Sequence, residues 1–166
     1  MRCGPSALPE QRARRAIYLF GTLCTLEVWG EESRHLRQAA EAGVQRLERV
    51  ARILNPFDPE SELSRMNCLA AACGVVPVSA ELFDVLHLAQ GVSMATSGRF
   101  DVTMGPLLAL WRRCAAVDQP PSADERAMAV DAVDYRRVRL DPVRRTVTFD
   151  DPRIRVDLSS VAKGAA

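Results

Sequence analysis

The sequence predicts an α+β fold, a mixed or antiparallel sheet flanked by helices, on three observations. A β-branched and aromatic run opens the folded part near Ile17. Helical apolar stripes with recognisable caps fill the middle of the chain. Short strand signals divided by Asp141-Pro142 and Asp151-Pro152 crowd its last third.

Residues 1–15 are polar, Arg-rich and interrupted by Pro5 and Pro9, which predicts a flexible tail ahead of a folded portion over 16–166. A strand is expected over 17–29. A helix follows over 33–54, with Leu36, Ala40, Val44, Leu47, Ala51 and Leu54 on one stripe. Asn55-Pro56 ends it, because proline pushes the preceding residue out of the helical region. Ser61 is placed to cap a short helical turn reaching Asn67, and 75–78 reads as extended. Ser79 caps a further helix that buries Leu82, Val85, Leu86, Ala89, Val92 and Ser93 and stops at Ser97-Gly98, where glycine suits a left-handed cap. Residues 100–103 predict a strand, Gly105-Pro106 a helix to Arg113, and Ser122-Ala123-Asp124-Glu125 a capping box opening a helix to about Val133. Strands are expected over 137–140, 146–149 and 154–158. A last helix begins after Ser160, and Ala166 is reached without a terminating signal, so the fold is expected to be incomplete at its C-terminus.

With 22 basic and 21 acidic side chains, net charge +1, no single-sign field steers this chain to nucleic acid or an anionic membrane. No run approaches the about 18 apolar residues of a membrane span. Five cysteines without a C-x-x-C pair argue against a disulfide framework and for thiols in a reducing, cytoplasmic setting. The set Cys68, Cys73 and His87 has no zinc spacing. Arg12, Arg14 and Arg15 before an apolar run ending at Cys24 imitate an export signal, yet Leu23 is too large for the cleavage position and the run reads better as strand.

Three segments carry candidate chemistry. In 157–164, DLSSVAKG, an acid, two hydroxyls and Lys163, the sole lysine of the chain, surround a strand-to-helix junction whose backbone N–H groups can favour a phosphate. An ordinary helix cap with a surface lysine is the plainer alternative. In 97–106, SGRFDVTMGP, two glycines allow close approach of a ligand, and Asp101 and Thr103 share one face of the expected strand. In 56–67, PFDPESELSRMN, Phe57 can stack on a planar ring. Asp58, Glu60 and Glu62 suit either acid–base work or a solvated loop, and His35 and His87 read as surface or core histidines.

Together these segments resemble the FAD:protein FMN transferases, the ApbE-type flavin transferases. Phe20-Gly21-Thr22 is similar to the family's Met-Gly-Thr opening, and 56–67 to its Thr-Tyr-x-x-x-Ser-Glu-Leu-Ser-x-x-Asn segment. Residues 98–111 match its Gly-x-Phe-Asp-x-Thr-x-Gly-Pro-Leu-x-x-Leu-Trp, and 157–164 its Asp-Leu-Gly/Ser-Gly/Ser-x-Ala-Lys-Gly. The resemblance implies FAD contacts at Phe20, Phe57, Arg99, Phe100, Asp101, Asp157 and Lys163, and a magnesium ligand at Ser160. It implies transfer of FMN from FAD to a threonine of an acceptor flavoprotein, with release of AMP. Phenylalanine stands where the family has methionine at 20 and tyrosine at 57, which keeps stacking at 57 and loses a hydroxyl. Many members are exported lipoproteins. The family's other metal-binding residues and its later His motif fall after Ala166, so this polypeptide alone is expected to show little transfer. An FAD pyrophosphatase, with water replacing threonine, and a non-catalytic flavin-binding remnant are the alternatives.

Overall fold

The structure, a computed structural model, describes residues 11–165. The chain divides into two compact units, one ending at Ala51 and the other spanning Arg52–Ala165.

In the first unit, β1 (Gln11–Leu19) and β2 (Thr22–Gly30) pair antiparallel, with Leu19 opposite Thr22. Phe20 and Gly21 alone turn the chain, both at positive φ, 53° and 69°. That is the two-residue geometry whose twist matches paired strands. The strand expected over 17–29 is therefore a hairpin, and residues 11–15, expected as tail, are the paired start of β1. The turn is hard to read because Phe20 occupies the position where Asn or Asp usually signals it. Residues 1–10 of the expected tail lie outside the described residues. The helix α1 (Ser33–Leu54) forms where its stripe predicts and packs Leu36 and Ala40 against Ala13 and Val28. A lone hairpin is marginal in water, and this cover buries Ala13 and half-buries Ile17, Leu26 and Val28.

The second unit contains α2 (Glu62–Cys73), β3 (Val75–Pro77), α3 (Ala80–Ala95), α4 (Gly105–Ala116), α5 (Ala123–Asp131), β4 (Val138–Asp141), β5 (Thr146–Phe149) and a short α6 (Ala162–Ala165). The strands form an antiparallel sheet in the order β3-β5-β4. The caps act as their sequence suggests: Ser61 accepts from the Ser64 N–H, Ser79 from the Leu82 N–H, and Ser122 and Glu125 complete a reciprocal capping box. Leu63, Met66, Leu82, Leu86, Val147, Ile154, Val156 and Leu158 make the core.

Two expected strands are absent. Residues 100–103 form a turn, and 154–158 form no strand, although Arg155 and Asp157 bond through their backbones to Gly105 and Val102. A side chain serves 154–158 instead: Asn67 Nδ2 donates to the Val156 carbonyl (2.9 Å), and the Val156 N–H donates to Asn67 Oδ1 (2.8 Å). Glu62, considered for acid–base work, is a second clamp, accepting from Ser79 N–H (2.6 Å) and Ser79 Oγ (2.7 Å) at the start of α3.

Asp151 gathers Arg153 and Arg137 beside the end of α5. Hydrogen bonds from the Arg153 side chain, then from its backbone N–H, hold the Asp151 carboxyl at about 2 instead of 3.8. A depressed carboxyl adds stability that is present above its unfolded value and lost as pH falls through its folded value. Asp151→Asn should therefore lower the urea midpoint at neutral pH and match the unsubstituted protein near pH 2. An equal deficit at both ends of the titration would contradict that origin.

Candidate functional site

A cavity of ≈ 860 Å³ opens in the second unit, a size that takes cofactor-like ligands. One wall is the loop leaving α3. Ser97 and Gly98 have positive φ, 53° and 77°, which reverses the chain and brings Arg99, Phe100 and Asp101 to the cavity. A Cβ on Gly98 would also lie 3.4 Å from the Tyr135 ring.

Asp101 fixes this loop. Its Oδ1 accepts from the Thr103 N–H (2.8 Å) and hydroxyl (2.6 Å), and its Oδ2 from the Tyr135 N–H (2.9 Å). Residues 100–103 are thus an Asx-type turn, because the carboxylate supplies a local acceptor that competes with strand pairing. Asp101 and Thr103 are bonded to each other and do not sit side by side on a strand face.

The second wall is α4. Met104 at its N-cap, Leu108 and Arg112 recur at helical spacing and line the cavity. The third is the extended segment carrying Asp157, Ser159 and Ser160. Asp157 is buried, its N–H donates to the Val102 carbonyl (2.8 Å), and its Oδ1 accepts from the Ser159 N–H (2.8 Å). That N–H, expected to be free for an anion, is already used. Asp157 Oδ2 faces Arg112 Nη2 at 3.6 Å, and the Arg112 guanidinium lies 4.7 Å from the centroid of the Phe57 ring. Asp134, Tyr135 and Arg136 close the cleft. Arg136 grips Asp134 through Nε (2.8 Å) and Nη2 (3.0 Å), which holds that carboxyl below its usual range and raises the guanidinium further.

Of the residues singled out from the sequence, Arg99, Phe100, Asp101, Asp157 and Ser160 meet in this one cavity. Phe57 is exposed beyond its lining and reaches it through Arg112. Lys163 is exposed on α6, and Phe20 forms the hairpin turn of the first unit. Arg112 was missed although the stripe through Met104 and Leu108 continues to it. Asp134, Tyr135 and Arg136 gave no signal, because the Asp101–Tyr135 bond that brings them in is a tertiary one.

The remaining candidates are structural. His35 pairs with Glu32 at 3.0 Å on the surface, and exposed His87 stacks on Phe83. The side chain of Cys73 lies outside the described residues. No group of three or more His, Cys, Asp or Glu side chains that could hold a metal ion occurs among the described residues. Asp101, Asp134 and Asp157 are engaged as above, and Ser160 supplies one hydroxyl.

Residues 20–166 match the model of the ApbE family. The chain is 30% identical to a FAD:protein FMN transferase of Klebsiella pneumoniae (strain 342), covering 99% of this chain and 49% of that protein. It is 30% identical to the FAD:protein FMN transferase of Haemophilus influenzae, over 67% of this chain and 33% of that protein. Among solved structures it resembles the ApbE protein of Thermotoga maritima, with 25% identity and a TM-score of 0.81 over 93% of this chain and 49% of that one. The flavin transferase ApbE of Vibrio cholerae gives 25% identity and a TM-score of 0.77 over 94% and 50%. The chain spans half or less of the length of these relatives. No helix among the described residues is long and apolar enough to cross a membrane. Antiparallel sheets with helices agree with the α+β expectation, and a match running from the hairpin turn to the last residue, on a shared fold, means that the chain belongs to the ApbE family.

Proposed function

We propose that residues 16–166 are the N-terminal portion of an FAD:protein FMN transferase and that the cleft of the second unit binds FAD. One observation carries this: the Arg99-Phe100-Asp101 loop and the Asp157–Ser160 segment, far apart in sequence, line one cavity. Its apolar side, Met104, Leu108 and Tyr135, suits a flat ring, while guanidinium groups and the Ser159 and Ser160 hydroxyls suit phosphate oxygens. Exposed Phe57 offers a stacking face, and Lys163, exposed on α6 outside the cavity lining, is proposed as a further positive charge for FAD.

In the proposed reaction a threonine hydroxyl of an acceptor flavoprotein attacks the FMN phosphorus of FAD. A phosphodiester to threonine forms, the pyrophosphate P–O bond breaks, and AMP departs with the bridging oxygen. Asp101, Asp134 and Asp157 already accept hydrogen bonds within the fold, so the threonine proton is proposed to leave to solvent water. The chain's own part is to bind and orient FAD. Ser160 is proposed as one oxygen ligand of Mg²⁺, an ion that would neutralise charge on the phosphates when bound. Free thiols at Cys24, Cys68 and Cys114 favour a cytoplasmic setting.

Isothermal titration of FAD into the chain, with and without magnesium and beside a circular dichroism check of folding, tests the proposal. Saturable binding is expected. A folded chain that takes up no FAD under either condition would overturn it, and AMP with free FMN appearing without acceptor protein would favour the pyrophosphatase.

A further inference from the structure

Arg112 differs from the other cations of the cleft. Its guanidinium is held from two sides, by the face of Phe57 at 4.7 Å and by the Asp157 carboxylate at 3.6 Å. Neither contact consumes an N–H, since a cation–π attraction uses the ring quadrupole and 3.6 Å exceeds hydrogen-bond length. A rigid fork of five donors is thus positioned at the cavity without being spent on acceptors among the described residues. Arg136, by contrast, commits Nε and Nη2 to Asp134, and Arg112, although its side chain is 49% exposed, is the cation of the lining that is braced by both a ring and a carboxylate among the described residues. Arg112 also offsets the charge of Asp157, which is 8% exposed and lines the same cavity. Without that cation a buried carboxylate would face any incoming anion, and at such short range like charges repel strongly.

Resting on the FAD reading above, we infer that Arg112 sets the charge selectivity of the cleft. It neutralises Asp157 and offers its free fork to a diphosphate, so the cleft prefers dinucleotides and nucleoside diphosphates over an uncharged flavin. Phe57 acts with it by fixing the guanidinium plane, which lowers the entropy lost when the fork engages phosphate.

The test titrates FAD, ADP and riboflavin into the unsubstituted chain, Arg112→Gln and Arg112→Lys, at low and high salt, with a thermal melt of each. Arg112→Gln is expected to weaken FAD and ADP by about 10- to 100-fold, the value of one charge-assisted contact, and to leave riboflavin within about twofold. It should also flatten the salt dependence of FAD binding. Arg112→Lys should keep most of the preference for ADP over riboflavin, because the charge remains. Equal losses for riboflavin and FAD in Arg112→Gln would show that the residue only supports Phe57, and an unchanged FAD affinity would show that its charge is not used; either overturns the inference. Should Arg112→Gln fail to fold, the ADP-to-riboflavin ratio in Arg112→Lys decides, and a collapse of that ratio to unity in a folded, charged variant counts against it. Failure of the unsubstituted chain to bind any of the three ligands removes the FAD reading itself, a result seen before any substitution is made.

Discussion

Asn67→Ala is expected to destabilise the second unit by about 2–6 kcal/mol, since two buried backbone groups each lose a partner at about 1–3 kcal/mol. Both groups belong to Val156, which is 2% exposed. In a sheet the N–H and C=O of Val156 would meet a neighbouring strand; here one carboxamide supplies both bonds at 2.8 and 2.9 Å. Water cannot easily take over at a buried site, and alanine offers neither donor nor acceptor. Asn67→Asp keeps the acceptor for the Val156 N–H but sets a carboxylate oxygen against the Val156 carbonyl, where a buried charge is repelled unless it is protonated and donates. Urea unfolding followed by circular dichroism should therefore place Asn67→Asp no higher than Asn67→Ala at neutral pH and recover part of the loss as the carboxyl protonates at acid pH. An Asn67→Ala variant within about 0.5 kcal/mol of the parent, the range of ordinary surface changes, would mean the extended segment holds itself. Because the next residue is Asp157, the same variant should also weaken FAD uptake.

The helices were legible because their signals are local. Ser79 and the Ser122–Glu125 box each cap the helix their spacing announces, Ser61 caps a helix that runs on to Cys73, past the short turn expected to end at Asn67, and the stripe of α1 matches its observed span. The misses share a cause, a polar group that takes a backbone partner which a periodicity count assigns to a strand. Asp101 does so for Thr103, and Asn67 for Val156. The hairpin at Phe20-Gly21 was hidden for a different reason, since an aromatic residue at positive φ carries no turn signature. The candidate cleft was legible where its lining residues are sequence neighbours, at 99–101 and 157–160. It was illegible where tertiary contacts assemble it, as with Asp134 and Arg136, or where a helical stripe runs past a motif, as with Arg112.

Gly105→Ala should injure stability and ligand binding together. A Cβ at this position would overlap the carbonyl oxygen of Arg155 and come within 2.7 Å of the Arg155 Cβ. The obstacle is backbone in a segment already fixed by Asn67, so it cannot swing aside as a flexible side chain would. The Gly105 N–H also donates to that carbonyl at 3.1 Å, which pins the start of α4 to the segment bearing Asp157. Relief of the overlap requires α4 to move away, at a cost of about 1–3 kcal/mol for overpacking and about 1 kcal/mol for the weakened hydrogen bond. Leu108 and Arg112 travel with the helix, and the 3.6 Å approach of Arg112 to Asp157 lengthens. The expected result is a lower urea midpoint with FAD affinity reduced by about tenfold or more, as one charge-assisted contact is lost. A variant with reduced stability and intact FAD affinity would separate the packing of α4 from the cleft. A variant unaffected in both would show that the chain absorbs the extra methyl group without moving Arg112.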